Sequence, residues 1–237
     1  MIIAVDGPAA VGTGTLARGL AERFNLAHLD SGLLYRAVAA RVLAAGGDGS
    51  DPVGAEEAAR AVRMQDLTEP DLRSERVGRV ASMVAVHPGV RGSLLERQRN
   101  FARRPPGGAA GAVLDGRDIG TVVLPDADVK IFLAGSADVR LARRVKELRA
   151  RGEPFIQARV EQDMRERDQR DRSRAAAPLA AATDAHVIDT TELDADTVLD
   201  TACRLVRSSP GASRRTVRAI SSELSDTALK VRNQESP

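Results

Sequence analysis

Short, continuously apolar runs alternate along the chain with stretches whose apolar residues recur at helical spacing. Ile2 to Val5, Ala27 to Leu29, Ala112 to Leu114, Val129 to Ala134 and Val187 to Ile188 read as five strands. Hydrophobicity that is continuous rather than alternating belongs to strands covered on both faces, so the pattern predicts a parallel sheet in an α/β fold. Ligands of such sheets collect at the carboxyl ends of the strands. The first three runs end in Asp6, Asp30 and Asp115, which predicts an acidic edge at that place. Leu16, Leu20 and Phe24 mark a helix directly after the first strand. The long stretch between the second and third strands reads as helices, Leu72 to Val86 and Val90 to Phe101 among them, broken at His87-Pro88-Gly89. It is too long for a simple crossover and reads as an inserted substrate-binding lobe over about 34–110. A second insertion-like stretch, Arg140 to Arg174, splits into two helices at Gly152-Glu153-Pro154. Past Val206 the composition turns to Ser208-Ser209-Pro210-Gly211-Ala212-Ser213, a linker signature that ends the main domain at about 207. In the remaining tail, to 237, Val217, Ile220, Leu224, Ala228 and Val231 return at helical spacing, as an amphipathic helix or a frayed terminus.

Between the first strand and its helix lies Gly7 to Thr15, GPAAVGTGT. Strand, glycine turn, helix is the context of a phosphate-cradling loop: Gly7 and Gly12 let backbone N–H groups turn inward, and the helix adds the positive end of its dipole. Pro8, Ala9, Ala10 and Val11 fill the turn. In the usual pattern a lysine follows the second glycine and reaches the β- and γ-phosphates; here Thr13 stands in that place, with one hydroxyl and no charge. Val11 is β-branched, so it is expected to stiffen the loop and crowd the phosphates.

Composition narrows the partners. Aromatic residues make up 2% with no Trp, which leaves little to stack on single-stranded nucleic acid. The formal net charge is +2, with acids interleaved among arginines, unlike the one-sided footprint of a nucleic-acid binder. The lysines are Lys130, Lys146 and Lys230, none close to Thr13 along the chain. With Cys203 as the single cysteine no intrachain disulfide forms, and a reducing cytoplasm is the expected compartment. No basic leader or membrane-length apolar run is present, so no membrane partner is expected.

The strongest signal after the loop is Leu114-Asp115-Gly116-Arg117-Asp118-Ile119-Gly120-Thr121. A strand ending in Asp115 beside a phosphate loop can hold Mg²⁺. Arg117 offers a planar fork for phosphate, and Asp118 can accept from an amino group or hydroxyl; the plain alternative is a glycine-rich turn with a surface ion pair. Ser31 is placed to cap the next helix, or with Arg36 to face a second phosphate. The run Arg165 to Arg174 reads as a solvated mixed-charge face or as arginines that close over a transferring phosphate. His28, His87 and His186 lack metal spacing and read as packing or turn residues; Met64, Met83 and Met164 read as core fillers, and Cys203 as buried and inert.

Together AVDGPAA with GTLA, HLDSGLLYRAVA, ASMVAVHPGVRGSLLERQR, LDGRDIGTVV, PDADVKIFLA and RDQRDRSRAAAPL resemble the cytidylate kinase family, bacterial CMP/dCMP kinases among the nucleoside monophosphate kinases, from Ile2 to about Val206. The resemblance implies a P-loop fold, a parallel five-stranded sheet flanked by helices with an inserted substrate-binding lobe and a short lid over about 140–174. It implies MgATP as phosphoryl donor, CMP or dCMP as acceptor, and a monomer. It further implies that Ser82, Arg91 and Asp118 read the cytosine edge, and that Ser31 and Asp171 hold the sugar and adjacent phosphate region. Arg36, Arg117, Arg167 and Arg174 would grip the acceptor phosphate and the transferring group. Gly7, Gly12, Gly14 and Thr15 would bind ATP, Thr15 near Mg²⁺, and Arg140, Arg143 and Arg144 would lie where the lid begins. The family carries a lysine at the place of Thr13. Two alternatives therefore stand beside a full-rate (d)CMP kinase: a weakened CMP-binding pseudokinase, and a kinase for a different small acceptor.

Overall fold

The computed structural model describes residues 1–152 and 154–209. The linker from residue 210, the helical pattern over 217–231 and Glu153 lie outside the described residues. Five strands, β1 (Ile2–Asp6), β2 (Ala27–Asp30), β3 (Ala112–Gly116), β4 (Val129–Ala134) and β5 (His186–Asp189), pair in parallel in the order β2-β3-β1-β4-β5. Each apolar run is a strand. Pairing carries β1, β2 and β3 onward into their polar ends, Asp6 opposite Gly116 and Asp30 opposite Asp115.

The accompanying helices are α1 (Thr13–Phe24), α2 (Ser31–Ala44), α3 (Pro52–Ala61), α4 (Glu75–Val84), α5 (Pro88–Arg103), α6 (Ala137–Ala150), α7 (Gln157–Ser173) and α8 (Ala195–Ser208). Successive strand residues face opposite ways. Ile3, Val5, Val113 and Ile131 therefore pack in one core with Leu16 and Leu20 of α1 and Val198 and Val206 of α8. Ala4, Ala112 and Leu114 join a second core with Leu34 and Val38 of α2, Val80 of α4 and Leu94 of α5. Two cores, one on each face, are why the strands read as continuously apolar.

Local signals set the helix ends. Asn25 closes α1 in the left-handed region at φ 51°, its N–H donating to the carbonyls of Ala21 and Glu22. The expected helix from Leu72 to Val86 is shorter: Pro70–Arg73 is a separate 3₁₀ turn, and the Ser74 hydroxyl accepts from the Val77 N–H to begin α4 at Glu75. Pro88 opens α5 at a first-turn position where no N–H is needed. Beyond β3, Ile119–Val123 makes one turn of π-helix, closed by the Leu124 N–H on the Ile119 carbonyl at 2.7 Å. Among the described residues no helix is long and apolar enough to cross a membrane.

Candidate functional site

The carboxyl ends of β2 and β3, the loop before α1, and the facing sides of α2, α4, α6 and α7 enclose a cavity of about 610 Å³. At its floor Gly12 takes φ 107°, a conformation glycine adopts without strain, and gives α1 an N-terminus with no side-chain cap and no acidic residue in its first turn. The uncapped N–H groups and the helix dipole make this an anion site. Val11 does not crowd it. Its side chain is 2% exposed in the core beneath the loop, against Gly7 and Gly135, so the expectation of crowded phosphates is corrected: the β-branched side chain turns away from the cavity. Thr13 lines the cavity but is buried, its methyl directed toward Gly7, while Thr15 is exposed at the first turn. No lysine lines the cavity among the described residues, and Lys130 is held by Asp184 at 2.8 and 2.9 Å.

The expected acidic edge resolves into different tasks. Asp6 is buried and accepts from the N–H groups of Ile119 and Gly120 at 2.8 and 2.7 Å; burial outweighs those bonds and pushes its carboxyl up to about 7. Asp115 accepts from or shares a proton with His28 Nε2 through Oδ1 at 2.7 Å, and burial, with the Asp30 charge beside it, raises its pKa despite the imidazole. His28, read from sequence as a packing residue, therefore orients a site carboxylate. Ser31 caps nothing: Asp30 occupies the N-cap position, and the Ser31 hydroxyl donates to the Asp115 carbonyl at 2.7 Å, tying α2 to β3.

Opposite stands a cationic wall. Arg36 is anchored by Nη1 on the carbonyls of Leu72 and Ser74, and Arg117 Nε donates to Asp171 at 3.2 Å. Arg167 and Arg174 approach Asp171 to 4.0 and 3.6 Å, yet Arg167 Nε and Arg174 Nη2 are buried without a hydrogen-bond partner. Burial and the charges of neighbouring arginines depress the Arg167 guanidinium to about 9 and Arg36 to about 10. Like charges held together with unsatisfied donors call for an anion.

At the far end Arg91 pairs with Asp118, stacks 5.6 Å over the Tyr35 ring, and donates to the Ala85 carbonyl. Arg174 Nη2 lies 3.9 Å from the other Asp118 oxygen. Ser82 accepts from Arg170 Nε at 3.0 Å. Thus Ser31, Arg36, Ser82, Arg91, Asp115, Arg117, Asp118, Arg167, Asp171 and Arg174 all line one cavity with Gly12 to Thr15. Tyr35, Arg170 and His28 were missed as site residues. Tyr35 lies inside a motif already singled out, but nothing local marks its ring as a platform for Arg91.

Arg140 and Arg143, at the start of α6, grip the phosphate loop from outside. Arg140 donates to the Ala9 carbonyl and pairs with Asp168; Arg143 donates to the Val11 carbonyl and Thr190. Arg144 pairs with Glu75 of α4 and with Glu147. Two methionines depart from the core-filler reading: Met64 is 45% exposed, and Met164 lines the cavity. Cys203 is buried as expected.

A family model described as cytidylate kinase matches residues 3–208. The chain is 53% identical to the cytidylate kinase of Methylocella silvestris over 90% of this chain and 97% of that one. It is 53% identical to that of Paramagnetospirillum magneticum, covering 87% and 98%, and 48% identical to that of Caulobacter sp. (strain K31), covering 86% and 93%. Among solved structures, an uncharacterized protein from Eubacterium ventriosum superimposes with a TM-score of 0.50 at 18% identity, over 88% of this chain and 98% of that one, a likeness of fold.

Proposed function

The chain belongs to the cytidylate kinase family and transfers the γ-phosphoryl group of ATP to CMP or dCMP, and from that premise we propose which of its residues carry each part of the reaction. The observation that carries the assignment is the pair of buried guanidinium nitrogens on Arg167 and Arg174 that make no hydrogen bond and only ion pairs of 3.9–4.0 Å, in the cavity that also holds the glycine loop. Phosphoryl transfer needs two phosphate sites in line and little else from the protein than positioning and charge neutralisation. The loop Gly7 to Thr15 takes the ATP phosphates on backbone N–H groups. Arg36, Arg117, Arg167 and Arg174 take the acceptor phosphate and the transferring group, whose transition-state charge satisfies the unpartnered donors. Ser31 and Asp171 flank the sugar.

Cytosine presents an amino donor beside ring and carbonyl acceptors. Asp118 supplies the acceptor, Arg91 and Ser82 the donors, the Ser82 hydroxyl being oriented by Arg170. Thr15 and Asp115 fit Mg²⁺: one is an exposed hydroxyl, the other a carboxylate whose Oδ1 is engaged by His28, leaving Oδ2 toward Gly14, and both are hard oxygen donors. When bound there the ion supplies neutralisation of phosphate charge. Residues 1–207 form the kinase domain, with 34–110 as acceptor lobe, 140–174 as lid and 208–237 as linker and tail. We take the acting unit to be a cytoplasmic monomer, as the sequence resemblance implies.

The test is ADP formation from MgATP with CMP, dCMP, UMP and AMP, for the parent and for Thr13→Lys. The expected result is turnover with the two cytidylates over UMP and AMP. Thr13 favours a second reading, a CMP-binding protein that has lost ATP turnover; tight CMP binding with turnover only after Thr13→Lys would establish it. Absence of CMP binding in both proteins would overturn the assignment.

A further inference from the structure

The phosphate loop lacks its cation at residue 13, and the structure points to another source of that charge. Arg18 lies on α1 one turn beyond Gly14, and helical side chains lean toward the N-terminus of their own helix. Its Nη1 lies 3.5 Å from the point a Cβ on Gly14 would occupy, and Asp115 Oδ2 lies at 3.5 Å from the same point. The guanidinium therefore borders the cavity beside Thr13, Gly14 and the Asp115 carboxylate. Other cations of α1, the loop and its surroundings are committed elsewhere: Arg23 to Asp200, Arg140 to the Ala9 carbonyl and Asp168, Arg143 to the Val11 carbonyl and Thr190, Arg144 to Glu75 and Glu147, and Lys130 to Asp184. Among the described residues Arg18 makes no ion pair or side-chain hydrogen bond, not even with Glu22 one turn further along α1.

We propose that Arg18 supplies to the β- and γ-phosphates of the donor nucleotide the positive charge that Thr13 cannot. The proposal rests on the reading of Gly7 to Thr15 as the ATP site. A guanidinium presents a planar fork that engages two phosphate oxygens at once, so it substitutes for an ammonium by geometry as well as by charge. It reaches the phosphates from the flank of α1 rather than from the turn itself, and the Thr13 hydroxyl adds a neutral hydrogen bond. Charge from Arg18 then matters while residue 13 is neutral and becomes redundant once a lysine is restored there.

That dependence defines the experiment: a double-mutant cycle on the full chain with Arg18→Ala, Thr13→Lys and the two combined, and with Arg18→Lys as the conservative variant. Calorimetric affinities for ATP and for CMP are measured separately, alongside kcat and KM for each. Arg18 is exposed, and matching unfolding temperatures establish that each variant is folded. Expected is a loss on the order of 10²-fold in kcat/KM for ATP in Arg18→Ala, partial recovery in Arg18→Lys, unchanged CMP affinity, and a loss of only about two- to threefold when Arg18→Ala is made in the Thr13→Lys background. An equal loss in the parent and in the Thr13→Lys background, or no loss in the parent, overturns the role of Arg18. A parent that binds CMP but not ATP also overturns it while leaving the acceptor reading standing; a parent that binds ATP but not CMP sinks the acceptor reading and leaves Arg18 to be judged on ATP affinity.

Discussion

Asp118 stands between two arginines, paired with Arg91 and 3.9 Å from Arg174, and its carboxylate lines that end of the cavity where it can accept an exocyclic amino proton. Asp118→Asn keeps the shape, replaces one acceptor oxygen by a donor, and removes the counter-charge paired with Arg91 and one of the two carboxylates beside Arg174, which keeps Asp171. Hydrogen bonds to a charged group contribute about 1.5–3 kcal/mol. KM for CMP should accordingly rise by about one to two orders of magnitude while KM for ATP stays within about threefold, as read by varying each substrate in turn. Asp6 makes a different prediction, because its carboxyl is pushed up from 3.8 to about 7 by burial. Between those values the folded protein holds a proton that the unfolded chain has released, so the Asp6 contribution to stability declines as pH rises from about 4 to about 7 and is level above. The slope approaches about 1.4 kcal/mol per pH unit. The difference in urea midpoint between the parent and Asp6→Asn, followed across that window, should shrink or change sign toward neutral pH; a flat difference would contradict the raised pKa.

At the scale of elements, α4 shows how a helix is shaped by what it presents to the site. Gly78 is buried in its interior, and a Cβ there would come within 2.8 Å of Arg36 Nη2. Helix propensity alone would favour alanine by about 1 kcal/mol. Gly78→Ala sets that gain against the bonds of Arg36 to the Leu72 and Ser74 carbonyls, so the unfolding temperature should change by no more than a few degrees, while displacement of the guanidinium raises KM for CMP by about tenfold or more. Steady-state kinetics and thermal unfolding on one preparation separate the two effects. The same element marks the limits of reading the sequence. The stretch from Leu72 to Val86 reads as helical in the sequence; the Ser74 hydroxyl, accepting from the Val77 N–H, fixes the start at Glu75. The sheet was legible because both its faces are covered, and the glycine loop because its backbone conformation restricts residue type. The contacts of Asp6 with Ile119 and Gly120 and of His28 with Asp115 were not, since each joins residues far apart in the chain through a fold no local pattern encodes. Val11 was misread for a related reason: a β-branched residue in a turn says nothing about which side of the loop it faces until α1 and β4 enclose it.

In the whole molecule, bridges from α6 and α7 to the α4 region close the cavity from above: Arg144 to Glu75, Arg79 to Asp163, Arg170 to Ser82. Beneath them the arginine cluster is at odds with itself, with Arg167 depressed to about 9 by burial and by the charges of Arg117, Arg36 and Arg144, and its Nε unsatisfied. In the proposed acceptor-phosphate role that tension is what the ligand-free protein holds ready for a doubly charged anion, so function and stability would pull apart here. Arg167→Met retains much of the aliphatic stem and removes the charge. Without ligand the variant should be more stable than the parent by on the order of 1 kcal/mol, about 2–4 °C for a chain of this size. Ligand should reverse the order. Saturating CMP stabilises whichever protein binds it, by about 2.7 kcal/mol at a hundredfold excess over Kd, and the variant, having lost an acceptor-phosphate contact, should gain far less. Thermal unfolding with and without CMP reads both quantities. A variant less stable without ligand would mean that Arg167 holds α7 in place rather than waiting for an anion; an undiminished CMP shift would remove Arg167 from the acceptor site.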